Sequence, residues 1–270
     1  MSGRRSDRIR EVVRERYAGV ATGGKSGCGC SPSCCSPNAP AAKEPSAQLG
    51  YSKKEMDAVP DGADLGLGCG NPQAIAGLKK GEVVLDLGAG GGFDCFLAAR
   101  QVGPRGKVIG VDMTPEMVSK ARENARKGKF KNVEFRLGEI EHLPVADSSV
   151  DVILSNCVIN LSPDKEQVYR EAFRVLKPGG RLAISDVVAI QPIPKAVRTD
   201  LDKHSGCVAG ALHVRKLERV LSDAGFHDGR VGVKEQSKKF IKDWFPGIGL
   251  ERYLRSADVQ GVKTKDVNSK

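Results

Sequence analysis

Three cysteine residues lie in local sequences that point to chemistry rather than to packing. Cys69 lies in LGLGCGNP, Cys157 in LSNCVINLSPDK and Cys207 in HSGCVAGAL. A single cysteine at the end of a strand is most often a small buried apolar residue. Three thiols from separate segments can instead bind one soft metal or metalloid, because thiolates prefer such centres. Binding of this kind requires a fold that brings the three segments to one place.

Alternating apolar segments predict such a fold. Strands are predicted at 83–87, 107–112, 133–137, 151–155 and 181–186, with helices between them near 93–102, 115–128 and 165–176. Strands that alternate with helices of this length pair in parallel through right-handed crossovers. The sequence therefore predicts an α/β fold with a doubly wound, Rossmann-like sheet. Ligands bind such sheets at the carboxyl ends of the strands, and Cys157 follows the fourth predicted strand at that edge.

A glycine-rich turn follows the first predicted strand and precedes a helix. The segment DLGAGGGF, residues 86–93, lets the backbone turn sharply and approach a ligand closely. A dinucleotide fingerprint has glycine at its sixth position, where this chain has Phe93, and the departure disfavours NAD. Asp112, at the end of the second strand, can accept hydrogen bonds from ribose hydroxyls, and Met113 can pack on an adenine. The pattern predicts a nucleoside-containing cofactor.

These features resemble class I S-adenosylmethionine-dependent methyltransferases. The resemblance rests on the glycine turn, Asp112, GEIEHLP at 138–144 and FRVLKPGGRLAISD at 173–186, and it covers residues 81–190. It implies S-adenosylmethionine as the cofactor, with methionine over the glycine turn, ribose on Asp112 and a position beside the transferable methyl for the residue after the fourth strand. The cofactor-binding residues that it implies are Asp86, Gly88, Gly90, Gly92, Asp112, Met113, Glu139, Ile140 and Asn156.

The three cysteine contexts together resemble the arsenite S-adenosylmethionine methyltransferase family over most of the chain. The resemblance implies that Cys157 and Cys207 bind arsenic(III) and that Cys69 supplies a third thiolate as its loop closes. These thiols would be both the arsenic ligands and the catalytic residues. It also implies arsenite or its glutathione adduct as substrate and glutathione or thioredoxin as reductant. Some relatives carry a tyrosine two residues before the first thiol, where this chain has Leu67.

The remaining five cysteines are assigned separately from these three. The segment 21–46 is rich in Gly, Ser, Pro and Ala, so it is expected to be mobile, and it contains Cys28, Cys30, Cys34 and Cys35. Their C-x-C-x3-C-C spacing fits structural zinc poorly. A thiol relay that receives arsenic, or exchanges disulfides, is an alternative, and any of the four could match a further family cysteine. Cys95, in the first predicted helix of the α/β pattern, is expected to pack in the core.

Composition excludes several classes of protein. A chain of 270 residues with 40% hydrophobic residues has ordinary globular composition. Its formal charge of +10 comes from 43 basic and 33 acidic residues, which are interleaved, so a nucleic-acid partner is disfavoured. No apolar stretch approaches the roughly 18 residues of a membrane span, and the amino end has no apolar signal core. We therefore expect a cytoplasmic protein whose eight cysteines are thiols.

Three regions are predicted: an amino-terminal helix and Cys-rich segment (1–64), a methyltransferase core (65–190), and an arsenic-site insertion that also completes the sheet (191–270). The leading hypothesis is methyl transfer to arsenic(III). One alternative is a C-methyltransferase of a quinone or another small molecule, but such an enzyme has no use for three converging thiols. Another is a non-catalytic metalloid-sequestering protein, which the intact cofactor residues Asp86, Gly88, Gly90 and Asp112 disfavour.

Overall fold

The computed structural model describes residues 2–23, 43–245 and 247–264. Its centre is a seven-stranded sheet in the order β3-β2-β1-β4-β5-β7-β6. The strands are β1 (Val83–Leu87), β2 (Lys107–Asp112), β3 (Val133–Leu137), β4 (Val150–Asn156), β5 (Leu176–Ala189), β6 (His227–Lys234) and β7 (Leu254–Val262). Strands β1 to β5 pair in parallel, whereas β7 runs antiparallel to both β5 and β6. The predicted doubly wound α/β sheet is confirmed.

Helices cover both faces and the carboxyl edge of the sheet. They are α1 (Ser2–Ala21), α2 (Lys43–Gln48), α3 (Lys53–Asp57), α4 (Gln73–Ala76), α5 (Phe93–Val102), α6 (Pro115–Lys127), α7 (Lys165–Val175), α8 (Lys195–Arg198), α9 (Leu201–Ser205), α10 (Val214–Asp223) and α11 (Lys238–Ile241). None of these helices of the described chain combines the length and the apolar character needed to cross a bilayer.

The two faces of the sheet bury separate apolar clusters. Leu85, Ile153 and Ile184 belong to the cluster on one face, and neighbouring residues such as Val84 and Val152 belong to the cluster on the other. This division follows from the two-residue period of a strand, which directs successive side chains to opposite faces. Because both faces are covered, the central strands are apolar almost throughout, as parallel strands usually are.

A third apolar cluster lies at the carboxyl edge, where α1 packs. Ile9 and Val13 of α1 are buried there together with Cys69, Cys157 and Cys207. An amphipathic helix is stabilised mainly by packing its apolar face. The helix that the sequence predicts at the amino end therefore contributes to the environment of all three thiols.

The central position of Ile184 in β5 gives a test of this packing. Ile184→Ala removes a fully buried side chain from the first cluster and is expected to lower the free energy of unfolding by about 2–5 kcal/mol, because it leaves a cavity. Urea denaturation followed by circular dichroism measures the change. Leu137→Ala is the control, since Leu137 is 53% exposed, and its effect should stay within about 0.5 kcal/mol. Equal effects of the two substitutions would contradict the packing described.

Candidate active site

A cavity of about 130 Å³ opens at the carboxyl ends of β1, β2 and β4. Ligands of open α/β sheets bind at this edge. Most of the predicted cofactor residues line the cavity: Asp86, Gly88, Gly90, Asp112, Met113, Ile140 and Asn156. Gly92 instead occupies the position before α5 with a φ of 93°. Glu139 forms ion pairs with Arg10 and Arg14 of α1, at 3.3 and 3.6 Å.

The glycine turn leaves no room for side chains at three positions, Gly88, Gly91 and Gly92. A Cβ atom on Gly88 would lie 2.4 Å from Val158 Cγ2, and one on Gly91 would lie 2.7 Å from the carbonyl oxygen of Ala63. Gly88 also has a φ of 69°, a left-handed conformation that favours glycine. At Gly90, by contrast, a Cβ would meet no atom of the described residues within 4 Å. The turn is thus packed closely from behind and has open space at Gly90.

Asp112 fixes this turn. Its Oδ2 accepts a hydrogen bond from the N–H of Gly90 at 3.0 Å, and its Oδ1 accepts one from the N–H of Thr114 at 2.9 Å. Burial raises the pKa of Asp112 above its ordinary value, although these backbone hydrogen bonds oppose the rise. Each carboxylate oxygen accepts more than one hydrogen bond, so acceptor capacity remains for a ligand in the cavity.

Carboxyl groups crowd the end of the cavity near β1. Burial raises the pKa values of Asp86 and Asp94, and for Asp86 the neighbouring Asp94 raises it further. Asp94 Oδ1 accepts a hydrogen bond from the Tyr51 hydroxyl at 2.8 Å. Oδ2 of Asp64, which also lines the cavity, is buried and has no hydrogen-bond partner among the described residues. A cation bound here would gain favourable charge interactions and supply missing donors.

Cys95 also contacts this group of acids. The sequence predicts Cys95 as a core residue, and it is fully buried. Its Sγ also donates a hydrogen bond to Asp86 Oδ2 at 3.2 Å. This contact opposes the rise in the pKa of Asp86, so the thiol has a polar role in addition to packing.

The three thiols singled out in the sequence meet at this same edge. The sulfur atoms of Cys69 and Cys157 and a carboxylate oxygen of Asp186 all lie within 4.8 Å of one another. Cys207 Sγ donates a hydrogen bond to the carbonyl oxygen of Cys157 at 2.7 Å. All three thiols are buried, and Cys157 also lines the cavity. The fold thus brings together thiols from three distant segments next to the carboxyl groups of the cavity.

Two of the thiols are carried on strained backbone. Cys157, directly after β4, has a φ of 60°, and Cys207, two residues after α9, has a φ of 62°. The left-handed conformation costs roughly 1–2 kcal/mol for a residue with a Cβ. The N–H of Cys157 donates to the carbonyl oxygen of Ser185 at 2.8 Å, which helps to hold this conformation. Strain of this kind is concentrated at functional sites, where the surrounding structure maintains it.

The environment keeps all three thiols neutral. Burial raises the pKa of Cys69 to about 11. For Cys157 the hydrogen bond with Cys207 lowers the pKa, but the contact with Cys69 and burial together outweigh it, so its pKa lies well above the ordinary value. For Cys207 the hydrogen bond with Cys157 and burial both raise the pKa. The sites therefore present thiols, rather than thiolates, near neutral pH.

Sequence reasoning missed three polar residues of this region: Tyr51, Asp94 and Asp186. Burial raises the pKa of Asp186 to about 6, and Asn160 Nδ2 donates to its Oδ1 at 2.9 Å. Its position near the carboxyl end of β5 was a usable signal, because ligands bind at that edge. Tyr51 and Asp94 carried no comparable signal, since their meeting depends on the tertiary fold.

Leu67 and the four amino-terminal cysteines complete the comparison with the sequence analysis. Leu67 lines the cavity and packs in one apolar cluster with Tyr17 of α1, which also lines the cavity. The four amino-terminal cysteines, Cys28, Cys30, Cys34 and Cys35, lie outside the described residues.

The raised thiol pKa values predict a specific titration. The carbon-13 chemical shift of the Cys69 Cβ should keep its thiol value from about pH 7 to about pH 10, because burial favours the neutral form. Nuclear magnetic resonance of cysteine-labelled protein measures it, with Cys69→Ser assigning the signal. In urea the same residue should titrate near the ordinary value of about 8.5. Titration of the Cys69 thiol with a midpoint below about pH 9 in the folded protein would contradict the raised pKa.

Comparison with known proteins agrees with this geometry. A family model described as a methyltransferase domain matches residues 78–225. An arsenite methyltransferase of Halobacterium salinarum is 53% identical over 270 residues, covering 97% of this chain and 68% of that protein. One of Aquipseudomonas alcaligenes is 46% identical over 176 residues, covering 63% of this chain and 50% of that protein. The crystal structure of an arsenic(III) S-adenosylmethionine methyltransferase from Chlamydomonas reinhardtii matches with a TM-score of 0.60 and 35% identity, covering 84% of this chain and 74% of that one.

The match to the Halobacterium protein covers nearly the whole chain. It therefore includes the segments that carry Cys69, Cys157 and Cys207 as well as the sheet. The resemblance that the three cysteine contexts indicate is confirmed, and the chain belongs to the arsenite methyltransferase family.

Proposed function

We propose that this chain transfers methyl groups from S-adenosylmethionine to trivalent arsenic bound by Cys69, Cys157 and Cys207. The observation that carries the proposal is the meeting of these buried thiols beside the cavity that Asp86 and Asp112 line. Thiols select soft centres such as arsenic, and the neighbouring carboxyl groups favour a cation. Substrate and cofactor would therefore meet at one edge of the sheet.

The residues of the cavity fit this cofactor. Asp64 has a buried oxygen that finds no partner within the part of the chain that the structure describes, and an α-ammonium group would supply a donor next to Asp86 and Asp94. When bound, S-adenosylmethionine supplies a methyl group made electrophilic by its sulfonium. The open space at Gly90 is consistent with close approach of a ligand to the backbone.

We assign the cofactor contacts to the residues that line the cavity. Asp86 and Gly88 would hold the amino-acid portion and Asp112 the ribose hydroxyls. Met113 and Ile140 would pack on the adenine. We assign no direct contact to Gly92 or Glu139, because Gly92 caps α5 and Glu139 pairs with α1.

Capture of arsenous acid by neutral thiols is balanced in charge. Each S–H proton leaves with an oxygen of arsenic as water while an As–S bond forms, so three As–O bonds are replaced by three As–S bonds. Because the fold keeps the three thiols protonated near neutral pH, this exchange releases no net proton. The buried site can therefore bind the substrate without stabilising three separate negative charges.

Methyl transfer then depends on position rather than on proton transfer. Arsenic bound to three sulfur atoms keeps a lone pair directed away from them, and this lone pair would attack the methyl carbon without loss of a proton. An As–C bond would form as the methyl C–S bond of the sulfonium breaks, and its electron pair would leave with sulfur in S-adenosylhomocysteine. Holding two reactants in a near-attack geometry can lower a barrier by about 7–11 kcal/mol. The strained backbone at Cys157 and Cys207 is consistent with a site selected for position.

Repeated turnover needs a reductant. Each transfer converts arsenic formally from the trivalent to the pentavalent state, and two electrons must return it before another transfer. We propose that glutathione or thioredoxin supplies them and that arsenite arrives free or as its glutathione adduct. A reducing cytoplasm would keep the site thiols available.

The central test is methylation of arsenite by the purified protein. With S-adenosylmethionine and a thiol reductant, arsenic speciation by chromatography should show methylated arsenic. Cys207→Ser should reduce the rate by at least about 100-fold, because an arsenic ligand is lost, while cofactor binding measured by calorimetry stays within about twofold. Cys207 does not line the cavity, and serine can still donate to the carbonyl oxygen of Cys157.

Other outcomes identify the alternatives. Stoichiometric arsenic binding without any methylated product would indicate a metalloid-sequestering protein. Methylation of a quinone or another small molecule, with arsenite left unchanged, would indicate a C-methyltransferase. Either result would overturn the proposed function.

We propose that the four amino-terminal cysteines receive arsenic from small thiols and pass it to the buried site, or exchange disulfides during turnover. Replacing all four with serine should slow methylation of glutathione-bound arsenite by about tenfold, because a tethered thiol acts at a high effective concentration. Steady-state rates measure this effect. The affinity of the cavity for the cofactor is the control. Unchanged rates would remove the relay from the proposal.

A further inference from the structure

Groups from three strands hold Cys69, two through its backbone and one through its thiol. Asn156 Oδ1, at the end of β4, accepts a hydrogen bond from the Cys69 N–H at 3.0 Å. Ser256 Oγ of β7 donates to the Cys69 carbonyl oxygen at 2.7 Å. The thiol itself donates to the carbonyl oxygen of Ser185 in β5 at 3.6 Å. These contacts fix the backbone of Cys69 on both sides of its Cα atom, and we refer to them as the Cys69 clamp.

The glycines on either side of Cys69 make the clamp possible. A Cβ atom on Gly68 would lie 2.7 Å from Asn156 Nδ2, and one on Gly70 would lie 2.7 Å from Ser185 Cβ. Real Cβ atoms do not approach other atoms so closely, so a side chain at either position would push the loop away from the sheet. The sequence Gly-Cys-Gly is thus explained by close contact with the sheet.

Ser256 is separate from the reacting groups. It is buried in β7, and its N–H donates to Ser237 Oγ at 2.9 Å. It does not line the cavity. Its hydroxyl donates to the carbonyl oxygen of Cys69, which also lies in the buried interior. Loss of this hydroxyl would therefore leave a buried acceptor without its donor, and the change would act on Cys69 first.

Cys157 shares the carbonyl oxygen of Ser185 with the clamp, but neither Cys157 nor Cys207 receives the hydrogen bond of Ser256 Oγ, which goes to the Cys69 carbonyl oxygen. Their mutual contact runs from Cys207 Sγ to the carbonyl oxygen of Cys157. Arsenous acid has three hydroxyl groups that thiols can replace, whereas methylarsenous acid has two. The first substrate needs three thiols and releases three waters, and the second needs only two thiols and releases two waters. A displaced Cys69 would thus affect the two substrates differently.

Resting on the proposed function, we infer that Ser256 is a positioning residue that holds the third thiol in place and so sets the preference of the enzyme for arsenite over methylarsenous acid. It acts through the Cys69 carbonyl oxygen and touches neither arsenic nor the cofactor. The carboxy-terminal strand β7 thereby takes part in substrate selection, although it lies outside the cofactor cavity.

Steady-state kinetics on the two substrates test this inference. Ser256→Ala should lower kcat/KM for arsenite about tenfold, because a buried hydrogen bond is lost, and should leave kcat/KM for methylarsenous acid within about twofold. Gly70→Ala should produce the same split through steric displacement, and Cys69→Ser defines its full extent. Equilibrium dialysis should show the same difference in arsenic affinity, independent of turnover.

Ser155→Ala is the matched control. Ser155 is a fully buried serine of the same sheet whose hydroxyl donates to a backbone carbonyl oxygen, that of Leu87 at 3.3 Å. Its hydroxyl is not one of the groups that bond to Cys69 in the clamp, so any effect should be equal for the two substrates. An equal loss with Ser256→Ala, or no loss for arsenite, would overturn the inference. If either Ser256→Ala or Gly70→Ala fails to fold, the ratio of kcat/KM for the two substrates is measured on the other variant.

The failure of the proposed function gives a different result. In that case the wild-type protein methylates neither arsenical. A different result would show that only the positioning role of Ser256 fails. In that case the wild-type protein methylates arsenite, but Ser256→Ala and Gly70→Ala leave the arsenite-to-methylarsenous-acid ratios of kcat/KM and of affinity unchanged.

Discussion

The burial of three thiols at the carboxyl edge of the sheet is the constraint on which the rest of the site depends. A neutral thiol behaves as a small apolar group, so it packs with Ile9 and Val13 of α1 at little cost. A buried thiolate would instead require strong compensation. The same apolar environment raises the thiol pKa values, and in the mechanism that we propose it would favour condensation with a neutral oxyacid as the route to arsenic binding. Packing and chemistry are therefore two consequences of one environment.

The cofactor side of the cavity has the opposite electrostatic character. Asp86 and Asp94 are buried close together, and their raised pKa values show that the fold disfavours two negative charges there. A cationic ligand would relieve this repulsion and use the acceptor left over on Asp64. The cavity thus joins an acidic region that favours a cation to an apolar region of neutral thiols, with Cys157 lining the space where the two meet.

The antiparallel pairing of β7 with β5 connects the region of the thiols to the far side of the sheet. β5 spans Leu176–Ala189 and pairs with β7 along its carboxyl half. This pairing places Asp186 and the carbonyl oxygen of Ser185 next to Cys69, and it brings Ser256 to the backbone of the same residue. A strand remote in sequence from both the glycine turn and the thiols thereby holds the backbone of Cys69.

Local patterns determined much of this protein. The apolar segments that alternate with predicted helices located every strand from β1 to β5, because this signal depends on neighbouring residues. The glycine turn and Asp112 indicated a nucleoside cofactor, and the contexts of Cys69, Cys157 and Cys207 indicated the family, since chemistry restricts the residues allowed there. The tertiary structure decided which groups surround those thiols. Tyr51, Asp94 and Ser256 come from segments without a distinctive local pattern. The pairing of β4, β5 and β7 and the packing of loops and helices against them bring these residues within hydrogen-bond distance of the site.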